Sequence, residues 1–247
     1  MFKKILVISD NLNLCKEFEK IIFDQNLNNL DWSFSVSPYS NRTKFDESLR
    51  YPVFTIDLKQ ESEVEELCKT YDLIFSIHCK QIFPKILVES VKCINIHPGY
   101  NPINRGWYPQ VFAIINGTKV GATIHEIDSQ LDHGNIIAQD YVTIDSWDTS
   151  LSLYNKITDL EISLLREHIK LILENNYISV IPSSEGNLYL KKDFNALCSL
   201  DLTKKQTIQE TIDLLRALTH GEYKNAYFID EKSGNKIFIS VDFTKDL

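Results

Sequence analysis

Glycine is missing where a nucleotide-binding chain would most need it: none of the eight glycines occurs before Gly99 in this 247-residue sequence. The fingerprints that place glycines directly after a first strand, G-x-G-x-x-G and G-x-x-x-x-G-K-[ST], are thereby excluded, and with them a dinucleotide or P-loop site. Cysteine is present but unorganised. Five residues lie at positions 15, 68, 79, 93 and 198 without a C-x-x-C pair, so neither a disulfide framework nor a zinc knuckle is expected, and a reducing cytoplasm is. Positive charge is in deficit, with 26 Lys+Arg against 34 Asp+Glu for a net of -8, which argues against nucleic acid as a partner. Apolar residues never run on for the roughly 18 that a membrane span needs, and the run near the N-terminus is too short for an export signal, so no membrane partner is expected.

What the chain does contain is strand patterns alternating with helix patterns. Residues 3–8 read as a strand, followed by the good helix caps Ser9, Asp10 and Asn11 and an amphipathic stretch carrying Leu14, Phe18, Ile21 and Ile22. Strands are predicted over 32–36, 53–56, 73–77, 93–96, 120–127 and 135–144. Helices are predicted over 61–69, 84–91, 107–116 and about 148–175. This order implies an α/β fold with a mostly parallel sheet covered on both faces. Beyond residue 183 the pattern becomes short alternating strands, one helix near 205–219 and a hairpin across Gly234. The division is therefore 1–183 for a catalytic domain and 184–247 for a small β-rich unit.

Ligands of parallel sheets gather beyond the carboxyl ends of the strands, which draws attention to His78-Cys79-Lys80 and to Asn95-Ile96-His97. Asn95 and His97, two apart on a strand, share one side. Together they offer an amide donor for an oxygen gaining charge and an imidazole able to move a proton, although an Asn-x-His pair alone is weak evidence and is more often a histidine capping a strand end. His125 and His133 are eight apart across a predicted turn, unlike H-E-x-x-H, so no metal is expected. Asp132, in a turn closed by Gly134, is suited to orient a histidine or accept a proton. Between residues 80 and 110, Lys80, Lys85, Lys92 and Arg105 outweigh Glu89, a local excess that suits a diphosphate.

The segment INIHPGYNPINRGWYPQVFAIINGTKVGATIHEIDSQLDHGNII, from Ile94 to Ile137, resembles the formyltransferases that use N10-formyltetrahydrofolate. Arg105-Gly106, Trp107-Tyr108-Pro109 and His78-Cys79-Lys80 are most similar to the branch that formylates amino sugars on nucleotides. Ser9-Asp10-Asn11 lacks the glycine-rich phosphate loop of the purine enzymes, and the long C-terminal barrel of tRNA-formylating members is missing too.

The resemblance implies a Rossmann-like formyltransferase domain with Asn95, His97 and Asp132 as the catalytic trio. It implies N10-formyltetrahydrofolate as formyl donor, lying against Lys80, Gln81, Ile82, Phe83, Asp128 and Leu131. The expected acceptor is a dTDP-linked amino-dideoxy sugar, of the dTDP-4-amino-4,6-dideoxyglucose kind, held by Ser9, Asn11, His78, Arg105, Trp107, Tyr108 and Tyr223. A cytoplasmic homodimer serving surface polysaccharide (lipopolysaccharide O-antigen) synthesis follows. Two alternatives stay open: a hydrolase of the formyl donor, and a nucleotide-sugar-binding protein without turnover.

Overall fold

In the computed structural model, residues 1–244 and 246 are described. β1 (Lys4–Ile8) is apolar at every position but the first, and all four of those side chains are buried. Asn11 stops it and starts α1 (Leu12–Asp24), its Oδ1 accepting the N–H groups of Asn13 and Leu14, which satisfies donors that the first helical turn leaves unpaired. β2 (Asp31–Val36), α2 (Arg42–Asp46), β3 (Val53–Thr55), α3 (Glu61–Thr70), β4 (Leu73–Ile77), α4 (Lys85–Ser90) and β5 (Lys92–His97) follow in alternation. Next come the two-residue β6 (Arg105–Gly106), α5 (Pro109–Asn116), β7 (Val120–Glu126), β8 (Ile136–Val142) and the long α6 (Ser150–Leu173).

β1, β2, β3, β4, β5, β7 and β8 form one sheet in the order β3-β2-β1-β4-β5-β7-β8. The first five are mutually parallel, β7 runs antiparallel to β5, and β8 runs antiparallel to β7 and so in the direction of the first five. Between β1 and β4 the chain changes direction of travel across the sheet, the usual place for a ligand crevice. There Asp10 N–H reaches the His78 carbonyl at 3.3 Å, tying the two strand ends together. The core beneath is aromatic: Phe18 meets Trp32, Phe34 and Phe75 edge-on at 5.8, 6.2 and 5.3 Å. Burying one such ring stabilises the fold by about 1.5–3 kcal/mol.

After α6, residues 180–189 run as a strap over the carboxyl end of the sheet. Val180 pairs with Ile136, and β9 (Leu188–Tyr189) pairs with β6. Gly186 fits because a Cβ there would lie 1.9 Å from the Pro102 carbonyl oxygen, at a φ of +61°. α7 (Lys191–Cys198), α8 (Ile208–Leu218) and the antiparallel pair β10 (Tyr227–Ile229) and β11 (Lys236–Phe238) complete the chain.

α7 was not foreseen. Its eight residues show no clear period, and Asp193, accepting the Leu190 N–H, starts a helix there. Phe194, Ala217, Leu218 and Ala226 enter one apolar cluster with Val111, Ile114, Leu153 and Ile157, so the C-terminal segment packs directly on α5 and α6.

Candidate active site

β5 delivers Asn95 and His97 at its carboxyl end, and β7 runs alongside in the register Asn95↔His125 and His97↔Thr123. Asp132 enters from the turn between β7 and β8, at a left-handed φ of 49° that asparagine and aspartate tolerate better than most residues. Gly134 permits that turn, since a Cβ would fall 1.9 Å from the Glu126 carbonyl oxygen. Asp132 is then fixed from several sides. Gly106 N–H donates to Oδ2 at 3.1 Å, Asn95 Nδ2 donates to Oδ1 at 3.1 Å, and Asn101 Nδ2 holds the backbone carbonyl at 2.9 Å.

Two histidines flank the same carboxylate. His97 Nδ1 is 3.6 Å and His125 Nε2 3.7 Å from Asp132 Oδ1. The His125 tautomer follows from its neighbours: Nδ1 lies 2.7 Å from the Glu126 carbonyl and so carries the hydrogen. That leaves Nε2 to accept from Asn95 Nδ2 at 3.2 Å. His97 is different, because its Nε2 is buried without a hydrogen-bond partner. Its ring lies over Gly99, where any Cβ would stand 2.4 Å from Nε2.

Electrostatics sharpen these roles. Burial pushes the His97 imidazole down to about 4, against the pull of Asp132, so the ring is neutral near pH 7. Burial also pushes Asp132 upward, but the His97 and His125 rings and the Gly106 N–H more than offset it and hold the carboxyl at about 2. The site thus presents a neutral imidazole with a free Nε2, an ionised carboxylate behind it, and an amide donor. That arrangement can take a proton from a nucleophile and stabilise an oxygen that becomes negative. Among the described residues no cluster of three or more His, Cys, Asp or Glu side chains is arranged to hold a metal ion.

The other residues singled out in the sequence are distributed around this centre. Lys80 is exposed and anchored only through its backbone N–H, which donates to Asp10 Oδ2 at 2.8 Å. Gln81 pins the loop after β3, donating to the Ile56 carbonyl and accepting from Leu58 N–H, both at 2.9 Å. Ile82 is 82% exposed, whereas Phe83 packs in the core beneath α4. Asp128 holds the His133 ring, Nδ1 donating to its Oδ2 at 2.7 Å, and so steadies the turn that carries Leu131 and Asp132. Ser9 is fully buried, Tyr108 packs on Phe194 with ring centroids 4.1 Å apart, and Trp107 lies under Lys191.

The positive excess between residues 80 and 110 is largely absorbed by partners. Lys92 pairs with Glu126 at 2.9 Å and Lys85 with Glu89 at 3.5 Å. Arg105 is 7% exposed and donates Nη1 to the Leu131 carbonyl at 3.2 Å, bracing the Asp132 turn, while its Nε has no partner.

A second polar group, at the end of β4, joins His78, Asn11 and Tyr223, all expected from the sequence, through Tyr154 and Glu161, which the sequence reading does not single out. His78 sits at φ 51°, its Nε2 2.8 Å from Oε2 of Glu161 and its Nδ1 3.1 Å from the Tyr154 hydroxyl. Tyr154 in turn accepts from Asn11 Nδ2 at 3.1 Å, and its ring meets His220 edge-on at 5.5 Å, which meets Tyr223 at 5.7 Å. Glu161 is fully buried within the apolar face of α6, between Ile157 and Leu165. One carboxylate at a core position of a helical stripe was the available sign.

Comparison with known proteins adds family to geometry. Residues 35–169 match the formyl transferase model, and residues 193–245 match the N-formyltransferase dimerization C-terminal domain. The chain is 53% identical, over 178 residues covering 72% of it and 76% of the relative, to a dTDP-4-amino-4,6-dideoxyglucose formyltransferase of Mycobacterium tuberculosis. Among solved structures, a 4-N formyltransferase from Francisella tularensis shares 44% identity and a TM-score of 0.92, covering 99% of both chains. A sugar N-formyltransferase from a Shewanella species shares 38% identity and a TM-score of 0.94, again over 99% of both. Sequence and fold agree along nearly the whole length, and this chain belongs to the formyl transferase family, as an enzyme that transfers a formyl group.

Proposed function

We propose that this enzyme moves the formyl group of N10-formyltetrahydrofolate onto the 4-amine of a dTDP-linked 4-amino-4,6-dideoxy sugar, with dTDP-4-amino-4,6-dideoxyglucose as acceptor. The observation that carries the reading is the buried His97 Nε2, neutral and without a partner, beside the ionised Asp132 and the Asn95 amide. The sugar is supported by the named acceptor of the 53% identical relative.

In this reading His97 Nε2 accepts the proton released as the amine nitrogen bonds to the formyl carbon, and returns it to N10 of the donor as the formyl carbon–N10 bond breaks and tetrahydrofolate leaves. Asp132 stabilises the imidazolium so formed, and Asn95 gives up one of its present hydrogen bonds to donate to the formyl oxygen as charge builds on it. Loss of a single such donor typically costs on the order of 100- to 1,000-fold in rate. The trio's residues suit this chemistry without a metal.

The donor is placed against Lys80, Gln81, Ile82 and Phe83 and the Asp128–Leu131 side of the turn, where exposed backbone and Ile82 are available. The acceptor is placed along Asn11, His78 and Tyr223, with the buried Ser9 contributing through backbone alone. Arg105, through its unpartnered Nε, and the Trp107–Tyr108 pair border the same side.

The catalytic unit is taken as residues 1–183 and the assembly unit as 184–247. A homodimer through the latter is supported by the match to a dimerization domain and by its exposed Ile229, Ile237 and Phe238. Operation in the cytoplasm, supplying surface polysaccharide such as O-antigen, fits a nucleotide-linked substrate; among the described residues no helix is long and apolar enough to cross a membrane. Mass spectrometry of dTDP-amino sugars incubated with enzyme and formyl donor tests the proposal. One formyl group gained by the 4-amino sugar is expected. Formate without formylated sugar would make the enzyme a hydrolase, and a 3-amino sugar as the better acceptor would overturn the assignment of position.

A further inference from the structure

Glu161 is an expensive choice for its position. A carboxylate with no solvent exposure, on a helix face otherwise given to Leu153, Ile157, Leu164 and Leu165, loses its hydration and keeps a single polar partner, His78. Both carboxylate oxygens lie close to His78 Nε2, at 2.8 and 3.1 Å, the arrangement of one N–H shared between two acceptors. With the hydrogen held on Nε2, Nδ1 becomes the acceptor and takes the Tyr154 O–H. Tyr154 also accepts from Asn11 Nδ2, whose own Oδ1 is occupied capping α1. The outcome of this chain of bonds is a half-buried tyrosine oxygen whose hydrogen points away from incoming ligand and whose remaining lone pair is left to accept.

The location gives this a purpose. β4 and β5 are adjacent and in register at Ile77↔Ile96, so His78 stands level with His97 on the next strand. From Tyr154 the wall continues through His220 to the exposed Tyr223, on the side given above to the acceptor.

We propose that Glu161 is a positioning residue for the sugar acceptor: through His78 it fixes Tyr154 as a hydrogen-bond acceptor, selecting an N–H or O–H donor on the sugar. The inference rests on the proposed acceptor and deepens it.

The test is a double-mutant cycle on the full-length enzyme with dTDP-4-amino-4,6-dideoxyglucose and formyl donor. Glu161→Leu continues the apolar stripe and frees the His78 tautomer; Tyr154→Phe removes only the hydroxyl. Each is expected to raise the acceptor KM about tenfold, the worth of one oriented hydrogen bond, while leaving the donor KM within about twofold. The double variant is expected to be no worse than Tyr154→Phe, because both act through one bond. Unchanged acceptor KM, an equal rise in donor KM, or losses that multiply would each overturn the inference. Should Glu161→Leu fail to fold, Tyr154→Phe decides: an acceptor KM like that of the wild type overturns it. Wild-type enzyme that formylates no dTDP-amino sugar overturns the functional reading itself, and this inference with it.

Discussion

At the ends of β5 and β7, four polar side chains, His97 and His125 buried and Asn95 and Asp132 half-buried, lie beside one another; in β10 and β11, apolar side chains are left facing solvent. Asn95, His97, His125 and Asp132 form a connected set in which His97 Nε2 is a buried atom without a hydrogen-bond partner. Ile229, Ile237 and Phe238 are between 42% and 48% exposed on strands of three residues. An unmet polar atom in a buried setting calls for a ligand that can hydrogen-bond, whereas exposed apolar area calls for a surface that excludes water. The two regions are incomplete in different chemical senses, so disturbing them should produce different losses.

The largest expected effect is on the buried set. His97→Asn should lower kcat by about 10²- to 10⁴-fold, the range for a lost general base, with circular dichroism unchanged. Near-normal turnover would remove His97 from the mechanism and break the comparison at once. Next comes Gly99→Ala, which places a methyl group where the His97 ring now lies. A ring displaced by about 1 Å is expected to cost tenfold to a hundredfold in kcat with little change in acceptor KM; an unaltered kcat would show that the ring has room to move.

A third test uses pH. The folded pKa of His97, about 4, lies below its unfolded value of 6.5, so the unfolded chain binds this proton first and stability falls as pH drops from about 6.5 through 4. From the size of that displacement the loss is on the order of 2–3 kcal/mol, with Asp132 adding to it below its ordinary 3.8, down to about 2. Denaturant melts across that range should show the slope, and His97→Asn should flatten its upper part. An equally steep slope in the variant would assign the effect to other groups. The smallest effect on chemistry is expected from the other region. Phe238→Asp should shift the enzyme toward monomer in light scattering while turnover per chain stays within about twofold, since β11 lies outside the buried set. A variant that remains dimeric would place the interface elsewhere.

Much of the framework was legible because short-range pattern reports it directly. The buried run Leu73–Ile77 and the alternation that puts Asn95 and His97 on one side depend only on strand period. The turn holding Asp132 was marked by Gly134. α7 was missed because eight residues carry too little periodicity to separate helix from strand, and a local cap at Asp193 decides it. Lys92 reads as a ligand-facing cation because sequence distance hides Glu126, which pairs with it, and the same distance hides the Leu131 carbonyl and Glu185 beside Arg105, whose Nε is left without a partner.

By itself, then, the sequence determined the alternation of the longer strands and helices, the presence of the Asn95, His97 and Asp132 groups and their family likeness, all of which rest on residue type and spacing. Only the tertiary structure decided their chemical state. Antiparallel pairing of β5 with β7 brings His125 against Asn95, and Gly106 and Asn101, from the segment after β5, close on Asp132. Water is thereby excluded from His97, which stays neutral, and α6 sets Glu161 behind His78. A protonation state follows from the solvent and charges around a group, and those are assembled only when residues distant in the chain meet.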